Sequence, residues 1–258
     1  WWKDQIGDRL LVDVTPSLLA EYRDKLAKGE GRPRSPATVV RYMAALSHAF
    51  SIAVREWEWL NDSPLRKVSK PKEPRGRVRF LSDDERKILL VSCKQNKAQY
   101  LYPLVVLALS TGARRGELLG LTWGDIDLKR KVAILHKTKN EERRALPLAG
   151  HALDCVEKLA EIRRIDTNLL FPDETGKKPV EIRPAWERVL KESKIEDFKF
   201  HDLRHSAASY LAMSGASLAE IAEVLGHKTL QMVKRYSHLS EQHTAGVVEK
   251  MNKKFLGS

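Results

Sequence analysis

The 258-residue chain is poor in cysteine: Cys93 and Cys155 are the only two, and they lie far apart in sequence. They cannot supply a disulfide framework or a cysteine-rich zinc site, and they fit a reducing compartment. Long apolar runs are also missing. The longest covers nine residues, 101–109, whereas a membrane-spanning helix needs about 20, so no membrane partner is expected. The opening Trp1-Trp2-Lys3-Asp4 has neither the basic start nor the apolar stretch of a secretory signal. No glycine-rich phosphate loop, G-x-G-x-x-G fingerprint, fixed-period repeat or low-complexity tract occurs. No cofactor and no resident metal are expected.

Positive charge is abundant. There are 46 Lys and Arg against 34 Asp and Glu, a net charge of +12. Hydrophobic residues make up 42% and charged residues 31%, the balance of a soluble globular chain. A basic excess of this size points to a polyanionic partner, nucleic acid ahead of an anionic membrane surface.

The length suits one large domain or two modest ones. Residues 66–79, RKVSKPKEPRGRVR, hold seven basic side chains, one acidic one, two prolines and a glycine, which reads as a linker. Before it the pattern is helical. Thr15-Pro16 and Ser35-Pro36 each pair an N-cap with a proline at the first helical position. Val39, Met43, Leu46, Phe50, Val54 and Trp57 recur at spacings of three and four, marking one buried helix face. After the linker, Ser82 to Glu85 has capping-box spacing and opens a helical run through Leu109. Residues 125–128, 132–135 and 145–148 predict a small antiparallel sheet. Residues 152–163, 184–193, 201–213, 218–225, 229–237 and 243–255 read as helices. The expected fold is mainly α with a small antiparallel β-sheet. Its parts are a helical domain over 1–70, a basic linker over 71–79 and a second domain over 80–258.

Five of the eight histidines, His201, His205, His227, His238 and His243, fall in one segment. His201-Asp202-Leu203-Arg204-His205 imitates the two-histidine helix of zinc proteases. The acid, however, is Asp rather than Glu, and Arg204 on the same face would repel a cation. At helical spacing 201, 204, 205 and 208 share one side, and the donors there suit an anion. Residues 217–239 resemble a helix-turn-helix DNA reader. The chain nevertheless carries more than a DNA-binding surface needs.

The surplus is an ordered series: Thr111-Gly112-Ala113-Arg114-Arg115-Gly116-Glu117-Leu118, then Lys137, then HDLRHS from His201, then Leu225-Gly226-His227, then Tyr236. In this series the sequence resembles the tyrosine recombinases, the phage integrase family, over essentially its whole length.

The residues themselves suit phosphodiester cleavage without a metal. Arg114 and Arg204 each offer a planar fork to phosphate oxygens and stay charged, while Arg115 reads as surface. Tyr236 can attack phosphorus through its phenolic oxygen. With an unperturbed pKa of about 10 it needs a neighbouring base or cations, and His201 and His227 are the candidates. Lys137 can protonate the leaving 5′-oxygen, with Lys139 as its competitor, and the resemblance favours Lys137. Glu117, one turn past Arg114, can orient an arginine.

The resemblance further implies a helical core-binding domain, a catalytic domain, and strand exchange through a 3′-phosphotyrosine without ATP or metal. Its implied partner is double-stranded DNA bearing an attachment or recombination site. It also implies a homotetramer on that DNA, accessory DNA-bending or directionality proteins, and a cytoplasmic place of work at the nucleoid. The apolar stripe Val247, Val248, Met251 and Phe255 would dock on a neighbouring protomer. No arm-type DNA-binding domain is seen, and the stretch from Trp1-Trp2 to Thr15 reads as the middle of a longer integrase chain. Chromosome-dimer resolution is a rival role with the same chemistry. A non-catalytic DNA-binding regulator, a DNA-relaxing topoisomerase and a zinc hydrolase are rivals of other kinds.

Overall fold

The computed structural model describes residues 1–29, 31–74, 77–136 and 143–257, and for 240–244 the backbone alone. The chain forms two compact units, Trp1–Arg77 and Val78–Ser258.

The first unit is helical: α1 (Trp2–Ile6), α2 (Pro16–Lys28) and α3 (Pro36–Arg55). Thr15 Oγ1 accepts from the Leu18 N–H and Ser35 Oγ from the Thr38 N–H, with proline opening each helix. These side chains satisfy amide donors that a helix start leaves orphaned. Val39, Met43, Leu46, Phe50 and Ala53 of α3 are buried, most of them with Leu19 and Leu26 of α2 in one core. By length and composition α3 is apolar enough to cross a membrane, but this face is committed to the unit's own core. Trp57 departs from the expected stripe. The helix ends at Arg55, Glu58 takes a positive φ, and the Trp57 ring lies 51% exposed.

The second unit is built round α5 (Leu101–Thr111), whose residues are almost all buried. The nine-residue apolar run is therefore a central helix, enclosed by α4 (Asp83–Gln95), α7 (His151–Glu161) and α9 (Asp202–Met213). Burying each large side chain contributes roughly 1.5–3 kcal/mol. The expected single run through Leu109 is two helices, α4 and α5, because Asn96 turns the chain, its Oδ1 accepting from the Ala98 N–H. A short α6 (Arg115–Leu119) follows α5. The sheet has the order β1 (Ile126–Asp127), β2 (Val132–Leu135), β3 (Arg144–Pro147), all antiparallel, with Leu135 opposite Arg144. The chain is completed by α8 (Arg183–Glu192), α10 (Leu218–Leu225) and α11 (Glu241–Phe255).

One expected helix takes another form. Residues 229–237 make 3-10 turns, Leu230–Met232 and Lys234–Ser240. In that geometry residues three apart eclipse. Val233 and Tyr236 therefore both turn inward onto Ala208 and Ala212 of α9, and the Tyr236 N–H bonds the Val233 carbonyl. The second expectation for α9, an open side at 201, 204, 205 and 208, also changes. Ala208 is fully buried, Arg204 is buried, and only His201 of the four is exposed.

Candidate active site

Arg204 anchors the site. It enters from the first turn of α9 and is 5% exposed. Its Nη1 donates to the Gly112 carbonyl at 2.6 Å and its Nη2 to the Leu225 carbonyl at 2.7 Å. Those carbonyls lie at the ends of α5 and α10, and each helix is closed by a glycine in the left-handed region, Gly112 (φ +60°) and Gly226 (φ +65°). Other residues pay a steric penalty there. Burial first, then the charges of Arg114 and Arg144, push the Arg204 guanidinium down to about 10. It remains a cation at neutral pH, with three of its five N–H donors uncommitted to these carbonyls.

Arg114 stands at the N-terminus of α6. Its Nη1 donates to Glu117 Oε1 at 2.6 Å, and its backbone N–H donates to Glu117 Oε2 at 2.9 Å. Glu117 is nearly buried and holds a second cation, since Arg144 Nη2 donates to Oε2 at 2.9 Å. Burial raises the Glu117 carboxyl, but its bonds to Arg114 and the charges of Arg144 and Arg114 outweigh it and leave the pKa lowered. Arg144 also donates to the Val224 carbonyl at 3.3 Å, and a Cβ at Gly226 would strike its guanidinium. Its Nε is buried without a hydrogen-bond partner among the described residues.

The histidines line the other side. His201 is exposed, His205 and His227 half-buried. The His201 and His205 rings meet edge to face with centroids 5.6 Å apart. His205 Nδ1 lies 2.5 Å from the Tyr236 hydroxyl. Burial, with Arg204 and Arg114 adding to it, lowers His201. Burial, His201, Arg235 and Arg204 bring His205 down to about 4 against a smaller pull from Asp202. Burial and the cations Arg204, Arg114, Arg235 and Arg144 do the same to His227. Both rings are neutral near pH 7, and His227 Nδ1 is a buried atom without a hydrogen-bond partner among the described residues. Tyr236 is 2% exposed. Burial raises its phenol, while the nearby Arg235 and Arg204 charges pull it partly back.

Arg114, His201, Arg204, His227 and Tyr236 thus belong to one electrostatic cluster, while Lys137 and its competitor Lys139 lie outside the described residues. Arg115 is exposed. The ring hydrogen-bonded to Tyr236 is His205, neither of the two expected to activate it. Arg144 and Arg235 also join the cluster. Tyr236 follows Arg235 directly in sequence, a local sign for that residue. Arg144 had no such sign, because its place depends on the pairing of β3 with β2.

The sequence matches the profile of the phage integrase family over residues 79–243. It is 32% identical to the integrase of Salmonella phage P22 over 82% of this chain and 56% of that one. It is 36% identical to a shufflon-specific DNA recombinase of Escherichia coli over 91% of this chain and 60% of that one. The chain therefore spans less than two thirds of the length of either relative. In fold it is similar to the Tn1549 transposon integrase, solved with transposon right end DNA. The TM-score is 0.78 at 19% identity, over 96% of this chain and 89% of that one.

Proposed function

Because the chain belongs to the phage integrase family, we propose that it is a site-specific DNA recombinase acting through a covalent 3′-phosphotyrosine, in prophage or mobile-element integration and excision. The observation that carries this reading is a buried phenol, Tyr236, hydrogen-bonded to the neutral His205 ring and within the field of the Arg204 guanidinium. A core tyrosine needs no such company. The P22 relative is named an integrase and the E. coli relative a DNA recombinase, which supports the same chemistry here.

In the proposed reaction one phosphodiester of duplex DNA lies against Arg114 and Arg204, with His227 beside it. Fixed cations aimed at the phosphoryl oxygens stabilise the charge that develops there, at little reorganisation cost. Glu117 keeps Arg114 aimed, and its second bond, to Arg144, ties β3 to α6. Tyr236 Oη attacks phosphorus and the bond to the 5′-oxygen breaks. Lys137 is assigned the proton for that oxygen. A 5′-hydroxyl from the partner duplex then attacks the phosphotyrosine and restores the backbone. The linkage retains the bond energy, so neither ATP nor metal is required.

The first unit would bind the core DNA through basic side chains, with Arg32, Arg34 and Arg41 as candidates for phosphate contacts. Two duplexes call for a tetramer. The apolar stripe Val247, Val248, Met251 and Phe255 on α11, 44–69% exposed, would dock each protomer on its neighbour. Accessory DNA-bending or directionality proteins and work at the nucleoid in the cytoplasm complete the reading.

The test is covalent trapping on fragmented source DNA in EDTA with a detergent quench. Protein-linked DNA with a recurring sequence, absent from Tyr236→Phe, is the expected result. DNA binding that Tyr236→Phe leaves intact, with no adduct from either chain, would favour the regulator reading.

A further inference from the structure

We propose that His205 is a catalytic residue, the base that takes the phenolic proton from Tyr236 during attack on phosphorus, with His201 leading that proton toward solvent. This rests on the recombinase reading above and adds a residue to it.

Four observations carry the inference. First, His205 Nδ1 and Tyr236 Oη are 2.5 Å apart, inside the reach of about 3.2 Å over which a side chain abstracts a proton directly. Second, Tyr236 is only 2% exposed and packs in an apolar cluster with Ala208, Ala212, Ile221, Leu225 and Val233, and the charged groups near its phenol, Arg235 and Arg204, are cations that cannot accept its proton. Bulk water is excluded as the acceptor, and an adjacent base must serve. Third, His201 and His205 are one helical turn apart on α9, their rings meet at 5.6 Å, and His201 is exposed. The line Tyr236, His205, His201 runs from a buried oxygen to the surface. Fourth, the charge state fits. The groups acting on His205 are His201, Asp202 and Arg204 from α9 and Arg235 from the turn that carries Tyr236. With burial, the three basic residues outweigh the acid and keep the ring neutral. With its proton on Nε2, a neutral ring offers the Nδ1 lone pair to the phenol.

One cation that weakens this base, Arg204, is one that a phosphodiester would meet. A phosphate beside Arg204 brings negative charge, offsets its field and makes His205 more basic once substrate is bound. The balance is complete. The Tyr236 proton passes to His205 Nδ1, the Oη–P bond forms, and the bond from phosphorus to the 5′-oxygen breaks. The leaving oxygen takes its proton from the separate donor assigned to Lys137. On rejoining, the incoming 5′-hydroxyl gives its proton to the group assigned to Lys137 and forms the new P–O bond as the Oη–P bond breaks, and His205, reprotonated along the His201 path, returns a proton to Tyr236.

The test uses the full chain and the duplex recovered by covalent trapping, in natural form and with sulfur as the bridging leaving atom. A thiolate leaves without protonation, so this substrate needs a base but no acid. His205→Asn keeps a polar group near the same place but cannot titrate. The expected result is single-turnover adduct formation slowed ~10²–10⁴-fold on both substrates, with unchanged DNA affinity and melting temperature. The acidic limb of the rate–pH profile disappears, and added imidazole restores rate to His205→Ala. Unchanged adduct rates in His205→Asn overturn the proposal, as does full rescue by the sulfur substrate or a loss explained by weaker DNA binding. No adduct from the unmodified chain removes the recombinase reading and this role together. An adduct that forms equally well without His205 removes this role alone.

Discussion

Arg204 donates a 2.6 Å hydrogen bond to the carbonyl of Gly112, 92 residues earlier in the chain. The bond fixes the end of the central helix α5 against the start of α9, and it depends on Gly112 holding φ at +60°. A Cβ there would also run into Leu225 Cδ2. Gly112→Ala should cost at least about 1–2 kcal/mol from backbone strain alone, with a further loss as Leu225 shifts. Thermal unfolding followed by circular dichroism should show a midpoint several degrees lower, at roughly 2–4 °C per kcal/mol. An unchanged midpoint would mean that α5 and α9 are not joined in this way.

Glu117 balances two arginines with a side chain only 8% exposed. Removing one partner of a buried pair costs about 3–5 kcal/mol, because it strands the other charge. Glu117→Ala should lower the urea-unfolding free energy by an amount of that order. The double variant Glu117→Gln with Arg144→Met should recover part of it, since fewer charges are left unpaired. Additive losses in the double variant would contradict the coupling.

Arg204→Lys keeps the charge but cannot reach both the Gly112 and Leu225 carbonyls while still presenting donors to a phosphate. Adduct formation should fall by about 10²–10³-fold, as when one preorganised donor is lost. Affinity for DNA, measured by gel shift, should stay close to that of the unmodified chain. Equal adduct rates would show that charge alone suffices there.

His205 and His227 both titrate at about 4 in the folded chain, against an ordinary value of about 6.5. Between those values the unfolded chain binds more protons than the folded one, so the unfolding free energy rises with pH there. The stability linked to the neutral rings is complete above pH ~6.5 and is lost as the solution is acidified toward pH ~4. Each ring is partly solvated, so its share is of order 1–3 kcal/mol. Urea titrations across that range should show the loss, and the double variant His205→Gln, His227→Gln should flatten it. A slope equal to that of the unmodified chain would contradict the buried neutral state.

Local signals explain what the sequence made legible. Thr15-Pro16, Ser35-Pro36 and the Ser82–Glu85 box mark helix starts because their partners lie within three residues. The order of Arg114, Arg204, His227 and Tyr236 points to the proposed chemistry because each sits in a recognisable string. Contacts formed only by folding leave no such mark. His205 and Tyr236 are 31 residues apart and Arg144 and Glu117 are 27 apart. Both pairs depend on how α9, β3 and the 3-10 turns come together. Trp57 and residues 229–237 followed helical spacing but lie where helices end or tighten, a change set by packing.

Covalent joining of Tyr236 to DNA is read by mass spectrometry of the trapped complex after nuclease and protease digestion. A single modified peptide containing Tyr236, carrying a nucleotide through its 3′-phosphate, is expected in EDTA and is expected to be absent from Tyr236→Phe. A nucleotide on any other side chain, or an adduct that persists in Tyr236→Phe, would contradict it.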